Sequence, residues 1–529
     1  MSRAHQSRWR FVSAVCALVL AVAGCSTAGD STGSDNGSDA GSGATQAGGA
    51  TAPPQGQEQL ASYYTQQLQW GACDGVSGAM EGARCAWLEV PIDYDNPGAG
   101  DTRLRVLKVP ATGQKSASLL VNPGGPGGSA VDYANMSDFV VSSDVRRSHD
   151  IVGVDPRGVG HSEPIVCLDP PQVDEMLGMD PTPDDEAEFQ ALQRSAQQFG
   201  QACQQKYPQL LPHVSTVDAA KDMDVLRAAL GDEKLSYLGK SYGTFLGAAY
   251  AGLFPQRAGR LVLDGALAPD LTSEQMNIGQ ATGFETATRA YVQACTSEGN
   301  CPLGRDVDGG MNQLREFLRG LDAKPLPITG DARVKQLTEG WATLGLARAM
   351  YDETSWDALT DALRAANGGD GTQLFDLAQE YADRSSDGSY PGNIMQVISA
   401  VNCLDRGSQP QSYQQLQQLG QRFAEQAPTW GPYMAYGSVS CDYWPVPATG
   451  KREKITAAGA APIVVVGTTR DPATPYEWAE QLADQLESGR LVTYDGDGHT
   501  AYMRSNDCID KAVDNYLING TPPDDGLKC

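Results

Sequence analysis

Short apolar runs bounded by turn residues alternate with longer stretches of helical periodicity along most of the chain. Runs of this length, rich in Val, Ile and Leu, are typical of strands buried on both faces of a parallel sheet. The strand candidates are AWLEVPIDY from 86, RLRVLKVPA from 103, ASLLVNPGG from 117, HDIVGVDPRG from 149, KLSYLGKS from 234, GRLVLDGA from 259, APIVVVGTTRD from 461 and GRLVTYDGDGH from 489. The alternation predicts an α/β fold with a large, mostly parallel sheet.

Between residues 275 and 455 the strand-like runs vanish and helical patterns take over, as in GWATLGLARAMYDETSWDALTDALRAAN. A strand-like run, PIVVVG, follows this region. We therefore expect a helical cap over 275–455, inserted before the last segment of a core that consists of 59–274 and 456–529.

The first residues have the features of a targeting signal. Arg3, Arg8 and Arg10 precede the apolar run FVSAVCALVLAVAG, which is short for a transmembrane helix. Residues 1–24 are therefore predicted to be a signal peptide that is cleaved on export.

The expected cut site, VAGC, resembles a bacterial lipobox, and Cys25 would then be the lipidated first residue of the mature protein. An ordinary signal peptide with a chance cysteine is the alternative. Residues 25–58 are mostly small and polar and are expected to form a flexible tether. The sequence thus predicts an extracytoplasmic protein, held by lipid at the outer face of the bacterial cell membrane or secreted, with membrane contact through that lipid only.

The charge balance restricts the partners. Lys and Arg number 39 against 65 Asp and Glu, for a formal net charge of −26. Nucleic acid is not expected as a partner because phosphate binding needs clustered cations. No H-E-x-x-H, EF-hand or paired C-x-x-C motif is present, so neither a metal nor a cofactor is predicted.

Ten cysteines follow Cys25, and an even number in an exported protein indicates disulfides. We expect neighbours in the sequence to pair: Cys73 with Cys85, Cys167 with Cys203, Cys295 with Cys301, Cys403 with Cys441, and Cys508 with Cys529.

One Gly-x-Ser-x-Gly pattern lies between a strand candidate and a helical pattern, in LSYLGKSYGTFLGAAY. A serine at a sharp strand-to-helix turn is a candidate nucleophile, and glycines two residues before and after it let strand and helix approach each other. Ser241 occupies this position. The alternative is an ordinary small residue in a turn.

The order of the remaining residues favours a nucleophile. Of the five histidines only His499 follows Ser241, and it comes directly after a strand candidate. Triads on this type of sheet run serine, acid, histidine along the chain. Asp471 ends the strand candidate before His499 and is our choice for the acid; Asp264, Asp495 and Asp497 are the rivals.

The glycine-rich stretch LLVNPGGPGGSA also follows a strand candidate and could present backbone N–H groups to an oxyanion. We assign one donor to Gly124 or Gly125 and the other to the N–H of Tyr242. The same loop fits G-x-G-x-x-A, with Asp155 ending the next strand candidate, so a dinucleotide-binding enzyme is a competing interpretation.

Taken together, NPGGPGGS, DPRGVGHS, GKSYGT, GTTRDPATP and GDGHT resemble the tripeptidyl and prolyl aminopeptidase group of α/β-hydrolases. The chain is most similar to the exported or lipid-anchored cell-envelope serine hydrolases of that group, described as proteases and carboxylesterases. One departure is that Pro123 stands where prolyl aminopeptidases commonly have histidine, which weakens a prolyl-specific assignment.

The resemblance implies hydrolysis of peptide or protein substrates near a free N-terminus through an acyl-enzyme. Ser241 would attack, His499 would transfer the proton and Asp471 would orient the imidazole. An aminopeptidase also needs a carboxylate for the substrate amine; Glu285, Asp352 and Asp405 are available in the cap and nothing in their spacing selects one. A carboxylesterase and a non-catalytic binding lipoprotein are the alternative functions.

Overall fold

The computed structural model of the chain describes residues 52–529. The predicted signal peptide and Cys25 lie outside the described residues, as does most of the 25–58 segment. The strands are β1 (Arg84–Pro91), β2 (Asp101–Val109), β3 (Ala117–Asn122), β4 (His149–Val154), β5 (Leu235–Lys240), β6 (Ala258–Asp264), β7 (Leu326–Pro327), β8 (Gln336–Leu337), β9 (Ile463–Arg470), β10 (Gly489–Asp497) and β11 (Leu527–Lys528).

Nine of these strands form one sheet in the order β1-β2-β4-β3-β5-β6-β9-β10-β11. β2 is antiparallel to β1 and β4, and every other pair is parallel. All eight strand candidates are found, which confirms the predicted α/β fold. The ninth strand, β11, is only two residues long.

Alternate residues of the strands enter two different cores, one on each face of the sheet. Leu120 and Tyr237 belong to one core, while Leu119, Val121 and Leu238 belong to the other. Every residue of β4 and β5 is buried. These strands read as continuous apolar runs because helices cover both faces of the sheet.

The helices before β9 are α1 (Ala61–Tyr64), α2 (Ala130–Asn135), α3 (Ser137–Val140), α4 (Ser143–Ser148), α5 (Pro170–Leu177), α6 (Glu186–Lys206), α7 (Thr216–Ala229), α8 (Tyr242–Leu253), α9 (Ser273–Ser297), α10 (Val307–Ala323), α11 (Glu339–Met350), α12 (Trp356–Asn367), α13 (Thr372–Ala382), α14 (Ile394–Arg406), α15 (Tyr413–Gln426), α16 (Gly431–Ala435) and α17 (Val439–Asp442). Two more follow β9, namely α18 (Tyr476–Gln485) and α19 (Asp507–Asn519).

Helices α9 to α17 lie between β6 and β9 in the chain and have an apolar core of their own, which includes the buried Trp341 and Trp430. The expectation that strands vanish from this segment was wrong at one point, because β7 and β8 form a small antiparallel ribbon. Two residues per strand are too few to leave a period in the sequence.

The helical layer also receives α6, which the sequence analysis assigned to the core. Phe189 of α6 packs with Leu416, Leu419 and Phe423 of α15 rather than on the sheet. The periodicity of α6 predicts a helix with an apolar face, yet it does not say which element covers that face.

Strands β3, β5, β6, β9 and β10 run parallel, so their carboxyl ends meet at one edge of the sheet. Ligand sites of such sheets lie at this edge. The segments that directly follow these strands carry Ser241, Asp471 and His499, the candidates for a catalytic triad. The glycine-rich stretch with Gly124 and Gly125 follows β3 at the same edge.

Candidate active site

Ser241 follows the last residue of β5 and precedes the first residue of α8. Its backbone has φ 56° and ψ −128°, a conformation that costs a non-glycine residue energy. The turn is held by the Ser241 N–H, which donates to the Asp264 carbonyl at 2.9 Å, and by its carbonyl, which accepts from the Thr244 hydroxyl at 2.6 Å. These two hydrogen bonds hold the strained Ser241 at the sheet edge, between the end of β5 and the start of α8.

Both glycines of the Gly-x-Ser-x-Gly pattern are sterically required. A Cβ on Gly239 would lie 2.3 Å from the Gly243 carbonyl oxygen. A Cβ on Gly243 would lie 2.9 Å from Asn122 Oδ1 and 3.0 Å from the Asn122 carbonyl oxygen. The two glycines are therefore needed because β5, α8 and the end of β3 approach so closely at this turn that no side chain fits between them.

His499 lies in the loop after β10 and only 6% of its surface is exposed. Its Nδ1 is 2.9 Å from both carboxylate oxygens of Asp471. The Tyr351 carbonyl accepts the backbone N–H of His499 at 3.0 Å. The Tyr351 ring meets the imidazole edge to face, with 5.2 Å between the ring centroids. The carboxylate and the aromatic ring together fix the orientation of the imidazole.

Asp471 follows β9 and accepts further hydrogen bonds from its own turn. The Ala473 N–H donates at 2.9 Å, the Thr474 N–H at 2.8 Å and the Thr474 hydroxyl at 3.1 Å. These bonds hold the carboxylate against the histidine.

The rival acids make other contacts. Asp264 accepts the N–H groups of Ala501 and Tyr502 at 2.9 and 3.0 Å, which are in the loop of His499. Asp495 and Asp497 each form an ion pair with Arg470 at 2.9 Å. Of the four acids considered, Asp471 is the one that contacts the imidazole.

His499 Nε2, the nitrogen not bound to Asp471, is buried and has no hydrogen-bond partner among residues 52–529. The imidazole lies against Gly265, because a Cβ on that glycine would be 3.2 Å from His499 Cε1. Gly265 directly follows Asp264, whose carbonyl accepts the Ser241 N–H. His499 Nε2 and Ser241 thus lie in one small region, although no hydrogen bond joins them. Hydrogen bonds between catalytic groups often shorten only when substrate binds.

The glycine-rich loop after β3 lies against the serine. A Cβ on Gly124 would be 2.8 Å from Ser241 Cβ and 3.0 Å from Tyr242 N. The Gly124 N–H donates to Asn122 Oδ1 at 2.9 Å, so of the two proposed glycine donors Gly125 is the better candidate. Tyr242 is the first residue of α8, and its N–H has no acceptor within the helix.

The loop shows little of what a dinucleotide site needs. Asp155, which would bind the ribose, accepts from Ser129 Oγ at 2.9 Å, from Val131 N at 2.9 Å and from His161 N at 2.7 Å. Helix α14 covers the loop closely, since a Cβ on Gly127 would lie 2.3 Å from Val397 Cγ1. Both the acid and the space above the glycines are already in use.

The three cap carboxylates considered for amine binding are occupied as well. Glu285 accepts from the Thr429 N–H at 2.8 Å, Asp352 pairs with Arg504 at 2.8 Å, and Asp405 accepts from Thr216. Burial raises the pKa of Asp405 to about 6.

Sequence reasoning missed two contributors to the site. Tyr351 comes from the cap and contacts His499 through both its ring and its carbonyl, and no local motif marks it. Lys240, inside the serine motif, is buried; its Nζ donates to the Tyr502 carbonyl at 2.6 Å and lies 3.5 Å from Asp264 Oδ2. The sequence does carry a signal for Lys240, because it stands at the variable position directly before Ser241 in a buried strand candidate, and a lysine is costly to bury without a partner.

Five disulfides join Cys73 to Cys85, Cys167 to Cys203, Cys295 to Cys301, Cys403 to Cys441 and Cys508 to Cys529. These are the neighbour pairs proposed from the sequence. Cys403–Cys441 ties α14, the helix above the glycine-rich loop, to α17.

A group that could hold a cation lies elsewhere in the described part of the chain. Asp180, Glu188 and Asp322 each offer a carboxylate oxygen within 4.8 Å of the others. Asp180 precedes α6, Glu188 lies on α6 and Asp322 lies on α10. Between residues 52 and 529 no helix is both long and apolar enough to cross a membrane.

Comparison with known proteins places the chain among hydrolases. The family described as TAP-like protein matches residues 427–529. Serine protease Hip1 of Mycobacterium tuberculosis is 37% identical over 480 residues, which cover 88% of this chain and 91% of that protein. Carboxylesterase B of the same species is 38% identical over 498 residues, 91% of this chain and 94% of that protein. The tripeptidyl aminopeptidase of Streptomyces lividans is 31% identical over 474 residues, 87% and 86% of the two chains.

Proposed function

Because the chain belongs to the tripeptidyl aminopeptidase-like family of α/β-hydrolases, we propose that it is an exported serine peptidase with Ser241, His499 and Asp471 as its catalytic triad. The observation that carries the proposal is the state of His499. One ring nitrogen is held by both oxygens of Asp471 at 2.9 Å, and the other is buried without a partner among residues 52–529. A histidine so arranged is suited to take a proton from a neighbouring hydroxyl.

The reaction proceeds in two stages. Ser241 Oγ attacks the carbonyl carbon of the scissile bond while His499 Nε2 accepts the hydroxyl proton, and Asp471 stabilises the resulting imidazolium. The N–H groups of Gly125 and Tyr242 bind the oxyanion. His499 then gives the proton to the leaving amine, and water cleaves the acyl-enzyme by the same steps with His499 as base.

The cap contributes an aromatic and aliphatic lining. Tyr351 packs on the catalytic imidazole, and Ile394 and Val397 of α14 lie over the glycine-rich loop. These groups limit access of water to the acyl-enzyme and offer apolar contacts for the substrate.

A carboxylesterase is the second candidate, and one specific observation favours it. Glu285, Asp352 and Asp405 are all engaged with protein donors, which leaves none of them open for a substrate α-ammonium. An acyl ester needs no such carboxylate, and one relative of comparable identity is named carboxylesterase B.

A set of chromogenic substrates separates the candidates. The purified protein is incubated with a free-amine tripeptidyl p-nitroanilide, its N-acetylated form and a p-nitrophenyl acyl ester. An aminopeptidase hydrolyses the free-amine peptide with a kcat/KM far above that of the acetylated peptide. Similar values for both peptides contradict aminopeptidase action, and turnover of the ester alone assigns an esterase.

Variants test the triad itself. Ser241→Ala is expected to lower kcat by about 10⁵- to 10⁶-fold and Asp471→Asn by about 10⁴-fold. Asp495→Asn, a neighbouring acid outside the triad, serves as the matched control and should retain activity. A fluorophosphonate probe should label wild-type protein and not Ser241→Ala. Equal labelling of both would refute Ser241 as the nucleophile, and labelling of neither would leave a binding protein as the alternative.

We also propose that the mature protein is anchored by lipid on Cys25, on the strength of the VAGC motif. Cells fed an alkyne analogue of palmitate should label the wild-type chain, and the Cys25→Ala variant should lose both the label and its membrane association. Label that survives in Cys25→Ala would contradict the anchor.

A further inference from the structure

Behind the nucleophile a chain of hydrogen bonds connects the cap to the residue after Ser241. The Tyr242 hydroxyl is 2.5 Å from Thr216 Oγ1, which is 2.6 Å from Asp405 Oδ2. The Thr216 N–H also donates to Asp405 Oδ1, at 2.9 Å. Because the single hydroxyl hydrogen of Thr216 goes to the carboxylate, the Tyr242 O–H must be the donor to Thr216.

All three side chains are excluded from solvent. Tyr242 is 6%, Thr216 0% and Asp405 4% exposed. Hydrogen bonds in series polarise one another at low local dielectric, and a satisfied buried series fixes the geometry of its members. The series therefore holds the Tyr242 phenol, and with it the first turn of α8, at one position.

Helix α14 contacts both segments that carry the oxyanion donors. Near its start, Ile394 and Val397 pack on the loop of Gly125 and Gly127, with Ile394 Cδ1 3.4 Å from a Cβ built on Gly125. Near its end, Asp405 reaches Tyr242 through Thr216. One rigid helix thus bears on both donors at once.

A purely stabilising role for Asp405 fits poorly. Burial raises the pKa of this carboxyl group to about 6; the hydroxyl and N–H of Thr216 and then the charge of Arg406 oppose the rise, and Asp218 adds to it. At neutral pH the folded state therefore carries an ionised carboxylate whose burial is only partly offset by these donors. A buried charge of this kind is expected where it serves the geometry of a site.

We infer that Asp405 is a positioning residue that acts through Thr216 on Tyr242 and so sets the place of the Tyr242 N–H in the oxyanion hole. The inference rests on the proposed function of Ser241. The cap, in this arrangement, takes part in transition-state stabilisation as well as in substrate binding.

Removal of either hydroxyl group tests the inference. Tyr242→Phe keeps the backbone donor and breaks the series, and Thr216→Val does the same from the other side. Each is expected to lower kcat about ten-fold with little change in KM, short of the 10²- to 10³-fold loss seen when a donor is deleted outright. The double variant should lose no more than either single variant, and Thr216→Ser should keep at least half of the wild-type kcat.

Tyr250→Phe is the matched control. Tyr250 is on the same helix, is fully buried and donates to the carboxylate of Asp224 at 3.1 Å. It should lower the melting temperature as Tyr242→Phe does and leave kcat per titrated Ser241 unchanged.

The pH profile gives an independent readout. In Asp405→Asn the amide donates to Thr216, which reverses the series and removes its charge. The charged and titratable groups that act on Asp405 include Arg406, Asp218 and Tyr242. The ratio of wild-type to variant kcat should rise as pH passes through about 6, where Asp405 ionises.

The outcomes are distinct. If wild-type protein is labelled by fluorophosphonate and hydrolyses its substrate while Tyr242→Phe keeps kcat within two-fold, the inference is refuted and the proposed function stands. Multiplicative losses in the double variant, or a flat pH ratio, would also refute it. Failure of the wild type to label or hydrolyse would overturn both.

Discussion

Two carboxylates end neighbouring strands of the sheet and have different contacts. Asp471, directly after β9, binds the His499 imidazole. Asp264, the last residue of β6, accepts the backbone N–H of Ala501 in the loop after His499 and pairs with the buried Lys240. The carbonyl of Asp264 also accepts the Ser241 N–H. Asp264 therefore ties the serine turn to the histidine loop without touching the histidine.

The buried contacts of Asp264 predict a larger loss of stability on substitution than the partly exposed contact of Asp497. Asp264→Asn should lower the free energy of unfolding by about 3 kcal/mol, because it leaves the Lys240 charge buried without its partner. Asp497→Asn breaks a partly exposed pair with Arg470 and should cost less than about 1 kcal/mol. Urea unfolding of both variants checks the prediction, and equal losses would contradict it.

Glu339 in the cap predicts a pH dependence of stability. It is 2% exposed, its carboxylate accepts from the Tyr433 hydroxyl at 2.8 Å, and burial, with the nearby Asp180 adding to the effect, raises its pKa to about 7. A raised pKa means that the stabilising contribution is complete below the unfolded value and is lost as pH rises through about 7.

Wild-type protein should therefore lose roughly 2 kcal/mol between pH 5 and pH 8 relative to Glu339→Gln, whose amide does not titrate. Urea unfolding of the two proteins at both pH values measures the difference. A constant gap between the two curves would show that the pKa of Glu339 is not raised in the folded state.

At the scale of elements, helix α14 connects the helical layer of α9 to α17 with the segments around the sheet edge. The helix covers the glycine-rich loop at one end, approaches Tyr242 at the other, and is fixed to α17 by Cys403–Cys441. Helix α9 makes a second link, since a Cβ on Gly283 would lie 2.9 Å from the Asp471 carbonyl oxygen. Helices α9 and α14 thus contact the segments that carry the proposed catalytic residues.

Removal of single disulfides should show that the bridge on α14 contributes more to stability than the short bridge between Cys295 and Cys301. Cys403 and Cys441 are 38 residues apart, and Cys295 and Cys301 are 6 apart. Loop entropy predicts a loss of about 4 kcal/mol for the Cys403→Ser, Cys441→Ser variant and about 2 kcal/mol for Cys295→Ser, Cys301→Ser. Thermal unfolding measures both; only the first variant should also lower kcat, because only it releases α14.

At the scale of the whole molecule, residues 52–529 contain the nine-stranded sheet, helices α1 to α19 and every proposed catalytic residue. A chain that begins at Ala52 should therefore fold with the melting temperature of the longer protein and retain its kcat. Circular dichroism and hydrolysis of the chromogenic substrates test this. A fall of more than a few degrees would mean that earlier residues contribute to the fold.

The strands could be predicted from the sequence because parallel strands buried on both faces are continuous apolar runs. β11 and the β7–β8 ribbon could not, since two residues carry no period. The placement of α6 in the helical layer was also beyond local pattern, because the residues that cover Phe189 come from α15, far along the chain.

The order of serine, acid and histidine, and the glycines around Ser241, were determined by the sequence, because the turn chemistry of each strand end is local. Tertiary structure alone decided between Asp471, the choice from the sequence, and its rival Asp264 as the partner of His499, and it alone brought Tyr351 and Asp405 to the site. These are contacts between segments distant in the chain, and their distances depend on how the strands and the cap pack, which no short stretch of sequence encodes.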